Sequence, residues 1–139
     1  MRNSPLNKVV LDASAVLARL HNEPGGERVD ALLDDLEIGS GVQVSISSVN
    51  WCEILTCLHR ESVFNPEEKL ASLLAGVELA SFGKTEAEVA AKIAKINPAL
   101  SLGDRACLAL AWTRHATAWT ADRVWTRFKL DVSVELIRD

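Results

Sequence analysis

Apolar residues fall in two patterns that alternate along the chain: short continuous runs, and longer stretches where they recur every three or four positions. Lys8-Val9-Val10-Leu11 is a run of the first kind, closed by Asp12 and followed by small residues, which predicts a buried strand feeding a helix over Ser14–Leu20. Pro24-Gly25-Gly26 breaks the pattern, and Pro24 suits the first turn of the next helix. That helix runs to about Leu36, with Val29, Leu32, Leu33 and Leu36 on one face and Asp30, Asp34 and Asp35 on the other. Gly39 and Gly41 bound it, and Gln43–Ile46 is a second strand.

Ser48 is positioned to cap a long helix reaching about Val63. Asn65-Pro66-Glu67-Glu68 opens another, with Asn65 as cap and acids in the first turn. Val77–Phe82 alternates as a third strand, and Thr85 opens a helix that Asn97-Pro98 ends after Ile96. Ser101–Asp104 starts an Ala- and Leu-rich helix through about His115. Ala118–Thr120 is a short strand, Asp122–Phe128 a short helix, and Val132–Leu136 the last strand. Strands alternating with helices imply an α/β layer fold around a mainly parallel sheet.

Composition changes this picture little. With 139 residues, 48% of them hydrophobic and 24% charged, residues 1–139 read as a single domain able to bury its own core. No apolar run approaches a signal-peptide core or a membrane span, which places the protein in the cytoplasm. Cys52, Cys57 and Cys107 lie within helical patterns and read as reduced, buried thiols. No C-x-x-C pair occurs and His21, His59 and His115 are scattered, which argues against a zinc site.

Charge matters more. The chain carries 15 Lys and Arg against 19 Asp and Glu. Four of those acids, Asp12, Glu53, Asp104 and Asp122, stand at special places, and without them the two signs balance. Asp12, Asp104 and Asp122 each fall where a strand ends or a helix begins, so each also has a structural explanation as a cap. Glu53 is expected inside a widely buried helix among Trp51, Cys52, Ile54, Leu55, Cys57 and Leu58, with no Lys or Arg within one turn. In an open parallel sheet the carboxyl ends of strands gather along one edge, which would collect all four acids in one crevice. Crowded carboxylates need a cation, and all-oxygen ligands suit Mg²⁺ or Mn²⁺. Such a site fits phosphodiester hydrolysis.

Four segments carry a resemblance to a known family: Val10-Leu11-Asp12-Ala13-Ser14-Ala15, Ser48-Val49-Asn50-Trp51-Cys52-Glu53-Ile54, Leu100-Ser101-Leu102-Gly103-Asp104-Arg105 and Thr120-Ala121-Asp122-Arg123-Val124-Trp125. In order and spacing they resemble the PIN-domain family, in particular VapC-type toxins of bacterial toxin–antitoxin pairs. The resemblance implies a sheet of about five parallel strands flanked by helices and an endoribonuclease dependent on Mg²⁺ or Mn²⁺. It implies Asp12, Glu53 and Asp104 as the principal metal-organising acids, with Asp122 completing the set. Ser14 and Thr120 read either as hydroxyls supporting the acids or as simple caps. The partners it implies are an RNA substrate, a cognate antitoxin and a second copy of the chain. Trp51-Cys52 before Glu53 departs from the smaller or aliphatic residues frequent there.

Other readings fit less well. A haloacid-dehalogenase phosphatase needs a second Asp where Ser14 stands, and a dinucleotide-binding domain needs a Gly-rich turn after the first strand. A PIN fold serving as a binding or regulatory module with little catalysis remains the alternative from another class.

Overall fold

The computed structural model describes residues 7–127 and 131–139. In chain order the elements are β1 (Lys8–Leu11), α1 (Ala13–Leu20), α2 (Gly26–Glu37), β2 (Gln43–Ser47), α3 (Ser48–Arg60), α4 (Pro66–Leu73), β3 (Glu78–Ala80), α5 (Lys84–Ile96), α6 (Leu102–Arg114), β4 (Thr117–Thr120), a 3-10 helix (Arg123–Arg127) and β5 (Ser133–Leu136). The five strands form one sheet in the order β3-β2-β1-β4-β5, and every adjacent pair is parallel. Among the described residues no helix is long and apolar enough to cross a membrane.

β1 is apolar and buried from Val9 to Leu11 because it is central and covered on both faces. Its alternation sorts the core into two halves. Val9 and Leu11 join Ile46, Val16, Val29, Ile54 and Leu70 on the side of α1 to α4. Val10 joins Ala118, Ile93, Leu108 and Leu110 on the side of α5 and α6. Leu11, Ile46 and Ile54 are wholly buried, and each such side chain stabilises the fold by roughly 1.5–3 kcal/mol. On the sheet edge, both Nη atoms of Arg114 donate to the Glu78 carboxylate at 2.8 Å and hold the short strand β3.

Several boundaries differ from the sequence reading. β2 runs one residue further, so Ser47 rather than Ser48 caps α3, its Oγ accepting from the Val49 N–H at 3.2 Å. Ser48 Oγ instead accepts from the Phe82 N–H at 3.0 Å, within the span expected for β3, which pairs only over Glu78–Ala80. Pro24 lies outside α2. That helix begins after Gly25, whose φ of +92° and contact with Ile137 leave no room for a side chain. Asn65 takes the N-cap position of α4 without a side-chain bond. Asp122 stands just before the 3-10 helix, and the predicted end at Phe128 lies outside the described residues.

Candidate active site

Strand order reverses at β1: β2 and β3 lie to one side, β4 and β5 to the other. Crevices at the carboxyl ends of strands beside such a point are the usual binding places of parallel α/β sheets. Asp12 follows β1 there, its N–H donating to the Trp119 carbonyl of β4 at 2.9 Å. It holds the N-cap position of α1, yet its side chain makes no capping bond. Its Oδ2 accepts instead from Ser14 Oγ at 2.6 Å and from Thr120 Oγ1 at 3.0 Å. The same two hydroxyls accept from the N–H groups of Ala121 and Asp122, so they join the start of α1 to the turn after β4.

The Asp12 carboxyl is only 4% exposed. Burial is the main reason its pKa rises from 3.8 to about 7, opposed by the Ser14 and Thr120 hydroxyls and reinforced by the charges of Asp104 and Glu53.

Glu53 is exposed, not buried as the apolar residues around it imply. α3 buries Asn50, Ile54 and Leu58 and turns Cys52, Glu53 and Thr56 to solvent, because its outer face forms a groove wall instead of a packing surface. For the same reason only Cys107 is a buried thiol, while Cys52 is exposed and Cys57 half-buried.

Asn50, one turn before Glu53, is wholly buried; its Nδ2 donates to Glu53 Oε1 at 2.9 Å and to the Gly103 carbonyl at 3.0 Å. Nothing in the sequence reading singled it out, although an amide three residues before an acid on a helix is placed to reach it. Asp104 forms the predicted capping box, Oδ2 accepting from the Ser101 N–H and Ser101 Oγ from the Asp104 N–H, both at 3.1 Å.

Asp12, Ser14, Glu53 and Asp104 therefore share one open groove of about 740 Å³. Thr120 lies behind Asp12, fully buried. Asp122 does not line the groove; its Oδ1 accepts from the Val124 N–H at 2.9 Å and starts the 3-10 helix. Arg60, exposed at the end of α3, is a groove residue that the sequence reading passed over.

Each groove acid has one oxygen held by the protein and one, Asp12 Oδ1, Glu53 Oε2 or Asp104 Oδ1, without a hydrogen-bond partner among the described residues. Their oxygens do not all lie within 4.8 Å of one another, so an ion shared by all three would have to reach at least one of them through its own water. A buried carboxylate with a raised pKa, one unpartnered oxygen and two further acids nearby fits a hard divalent ion, since all three acids offer oxygen donors.

A fully parallel five-stranded sheet with carboxylates grouped beside its switch point defines an α/β protein with an acidic crevice. The PIN domain model matches residues 9–130, and the chain belongs to that family. No curated protein matches it. Among solved structures it is similar to VapBC2 from Rickettsia felis bound to a promoter DNA fragment, at 16% identity and a TM-score of 0.69, over 93% of this chain and 98% of that one. FitAcB from Neisseria gonorrhoeae matches at 22% identity and a TM-score of 0.65, over 91% and 95%. VapBC-5 from Mycobacterium tuberculosis, a member of a toxin–antitoxin family, matches at 22% and 0.59, over 96% and 99%. At these identities the likeness is one of fold.

Proposed function

We propose that this protein is a metal-dependent endoribonuclease that hydrolyses RNA phosphodiester bonds, acting as the toxin of a toxin–antitoxin pair. The observation that carries the reading is the Asp12 carboxyl: buried at the sheet's switch point, bound by two hydroxyls on one oxygen, and facing two further acids across an open groove. Membership in a family of nucleases supports it. So does the likeness of fold to the toxin–antitoxin proteins VapBC2 and VapBC-5.

Asp12, Glu53 and Asp104 would hold Mg²⁺ or Mn²⁺. Bound there, the ion supplies charge neutralisation at the phosphodiester and a more acidic water. The chain's own residues prepare the site. Ser14 and Thr120 fix Oδ2 of Asp12, Asn50 fixes Oε1 of Glu53, and the Ser101 N–H fixes Oδ2 of Asp104. Orientation is thereby set before substrate arrives, which removes reorganisation from the reacting step. Asp122 completes the proposed set from outside the groove lining, anchored by its own turn. Arg60 offers the groove a cation for an RNA phosphate, a local positive charge in a chain whose net charge is −4.

The reading takes residues 1–139 as one PIN domain, cytoplasmic, paired with a cognate antitoxin and forming a homodimer. Its test is cleavage of a structured RNA by the purified protein with Mg²⁺ or Mn²⁺ and with EDTA. Cleavage should need the metal, leave a 5′-phosphate and a 3′-hydroxyl, and vanish in Asp12→Asn. Metal-independent cleavage, or wild-type cleavage by that variant, would overturn the reading.

A further inference from the structure

We propose that His21, Cys57 and Glu61 form a second metal site, chemically distinct from the acid groove, that takes a zinc-like ion in preference to magnesium. Among the described residues they are the only group of three or more His, Cys, Asp or Glu side chains whose donor atoms all lie within 4.8 Å of one another. Thirty-six positions separate His21 from Cys57, and packing of α1 against α3 brings them together.

Their donor atoms already gather around one carboxylate. His21 Nε2 lies 2.9 Å from Glu61 Oε2, and Cys57 Sγ donates to the same oxygen at 3.2 Å. A tetrahedral ion with bonds of about 2.0–2.3 Å needs its ligands only a few tenths of an ångström further apart. Cys57 and Glu61 are one helical turn apart at the end of α3, so their side chains point the same way. His21 caps the end of α1, held by its N–H bond to the Leu17 carbonyl at 2.8 Å.

A second observation bears on the histidine's role. Its other ring nitrogen, Nδ1, lies 3.7 Å from Glu23 Oε2, and Arg138 Nη1 in turn donates to Glu23 Oε1 at 3.2 Å. At 3.7 Å Glu23 is a charged neighbour of Nδ1 and not its hydrogen-bond partner, and its negative charge favours a cation at the ring while leaving Nε2 to the site. The three side chains are partly exposed, so an ion can enter and a water can complete its coordination. One sulfur, one nitrogen and one carboxylate oxygen favour Zn²⁺ or Co²⁺ over Mg²⁺ or Mn²⁺. On binding, the Cys57 thiol gives its proton to solvent and its bond to Glu61 is replaced by two bonds to the ion. Cys57 also lines the groove, so the ion would tie together the ends of the helices that carry Ser14 and Glu53.

Titration of the full chain with Co²⁺ tests this independently of nuclease activity. One equivalent should produce the near-ultraviolet thiolate-to-cobalt band and the visible absorption of a tetrahedral site. One equivalent of Zn²⁺ should bleach both, and excess Mg²⁺ should leave them unchanged. Cys57→Ser and His21→Gln should lose the thiolate band, whereas Cys52→Ser and Asp12→Asn should keep it. Glu23→Gln, which removes a nearby charge but no ligand, should weaken Co²⁺ binding by up to about fivefold. His21 and Glu23 are exposed, so their variants keep the fold if replacing Cys57 does not. Absence of a thiolate band in the wild type, or a band that survives Cys57→Ser or His21→Gln, would overturn the proposal.

Discussion

The Glu53 carboxylate rests against the backbone of Gly103 so closely that a Cβ on that glycine would stand 2.2 Å from Oε2 and 2.4 Å from Oε1. Gly103 thus sits in the first turn of α6 not for its backbone freedom but for the space it leaves to an acid from another helix. Gly103→Ala should be mildly destabilising at most: the exposed Glu53 side chain can swing outward, which costs its bond from Asn50, and the helix preference of Ala, up to about 1 kcal/mol, offsets part of that loss. RNA cleavage should nonetheless fall about a hundredfold, the usual consequence of a catalytic group displaced by about 1 Å. A variant that melts like the wild type and cleaves at its rate would remove Glu53 from the site.

Asn50→Ala approaches the same carboxylate from the other side. It removes the donor to Glu53 Oε1 and to the Gly103 carbonyl, while also removing a buried Oδ1 that has no partner. The two effects on stability oppose each other, so the melting temperature should drop modestly. The cleavage rate should fall about tenfold, with most of the loss in kcat, because Asn50 orients an acid and does not hold substrate. A pure rise in KM would contradict that role.

Asp12 makes metal-free stability depend on pH. Its folded pKa, about 7, lies above the unfolded value of 3.8, so the folded protein holds the extra proton. The stabilisation is complete below about pH 4 and is lost as pH rises through about 7. Thermal melts in EDTA should fall across that window, and Asp12→Asn should flatten the dependence and melt higher at pH 8. Mg²⁺ at ten times its dissociation constant should restore about 1.4 kcal/mol to the wild type and less to the variant. Flat wild-type melts across the window, with no gain from Mg²⁺ or Mn²⁺, would contradict both the burial argument and the cation.

Thr120→Val keeps the shape of a fully buried side chain and deletes one hydroxyl. Asp12 then loses a donor that lowers its pKa, and the Asp122 N–H loses its acceptor. Stability should fall by about 1–3 kcal/mol. The acid limb of the pH–rate profile should move to higher pH, which a role confined to packing would not produce.

Asp122 separates the outer acid from the inner ones. Asn can accept the Val124 N–H as Asp does, so Asp122→Asn should fold normally, while Asp122→Ala should lose about 1 kcal/mol. Cleavage should drop no more than about tenfold in Asp122→Asn, against complete loss in Asp12→Asn. Equal loss in the two Asn variants would place Asp122 among the innermost acids.

The pattern of the chain was enough to read the layer order. An apolar run covered on both faces is unmistakable in Val9-Val10-Leu11, and it puts Asp12 at the strand's carboxyl end wherever the helices pack. The Ser101–Asp104 capping box was equally legible, because both partners lie within four residues. Contacts between distant segments were not. Periodicity counts Cys52 and Cys57 as core residues, yet whether that face of α3 meets another helix or a groove depends on where α1 and α6 dock. The docking opens the groove and leaves Glu53 exposed. It also sets Gly103 beneath the Glu53 carboxylate and brings His21 to Cys57 and Glu61. These relations arise from rigid elements packed at fixed angles on a twisted sheet, and no local rule of sequence encodes them. Residue order determined which elements form and which acids end the strands. Only tertiary packing decided which acids face one another, since that choice belongs to helix positions on the sheet.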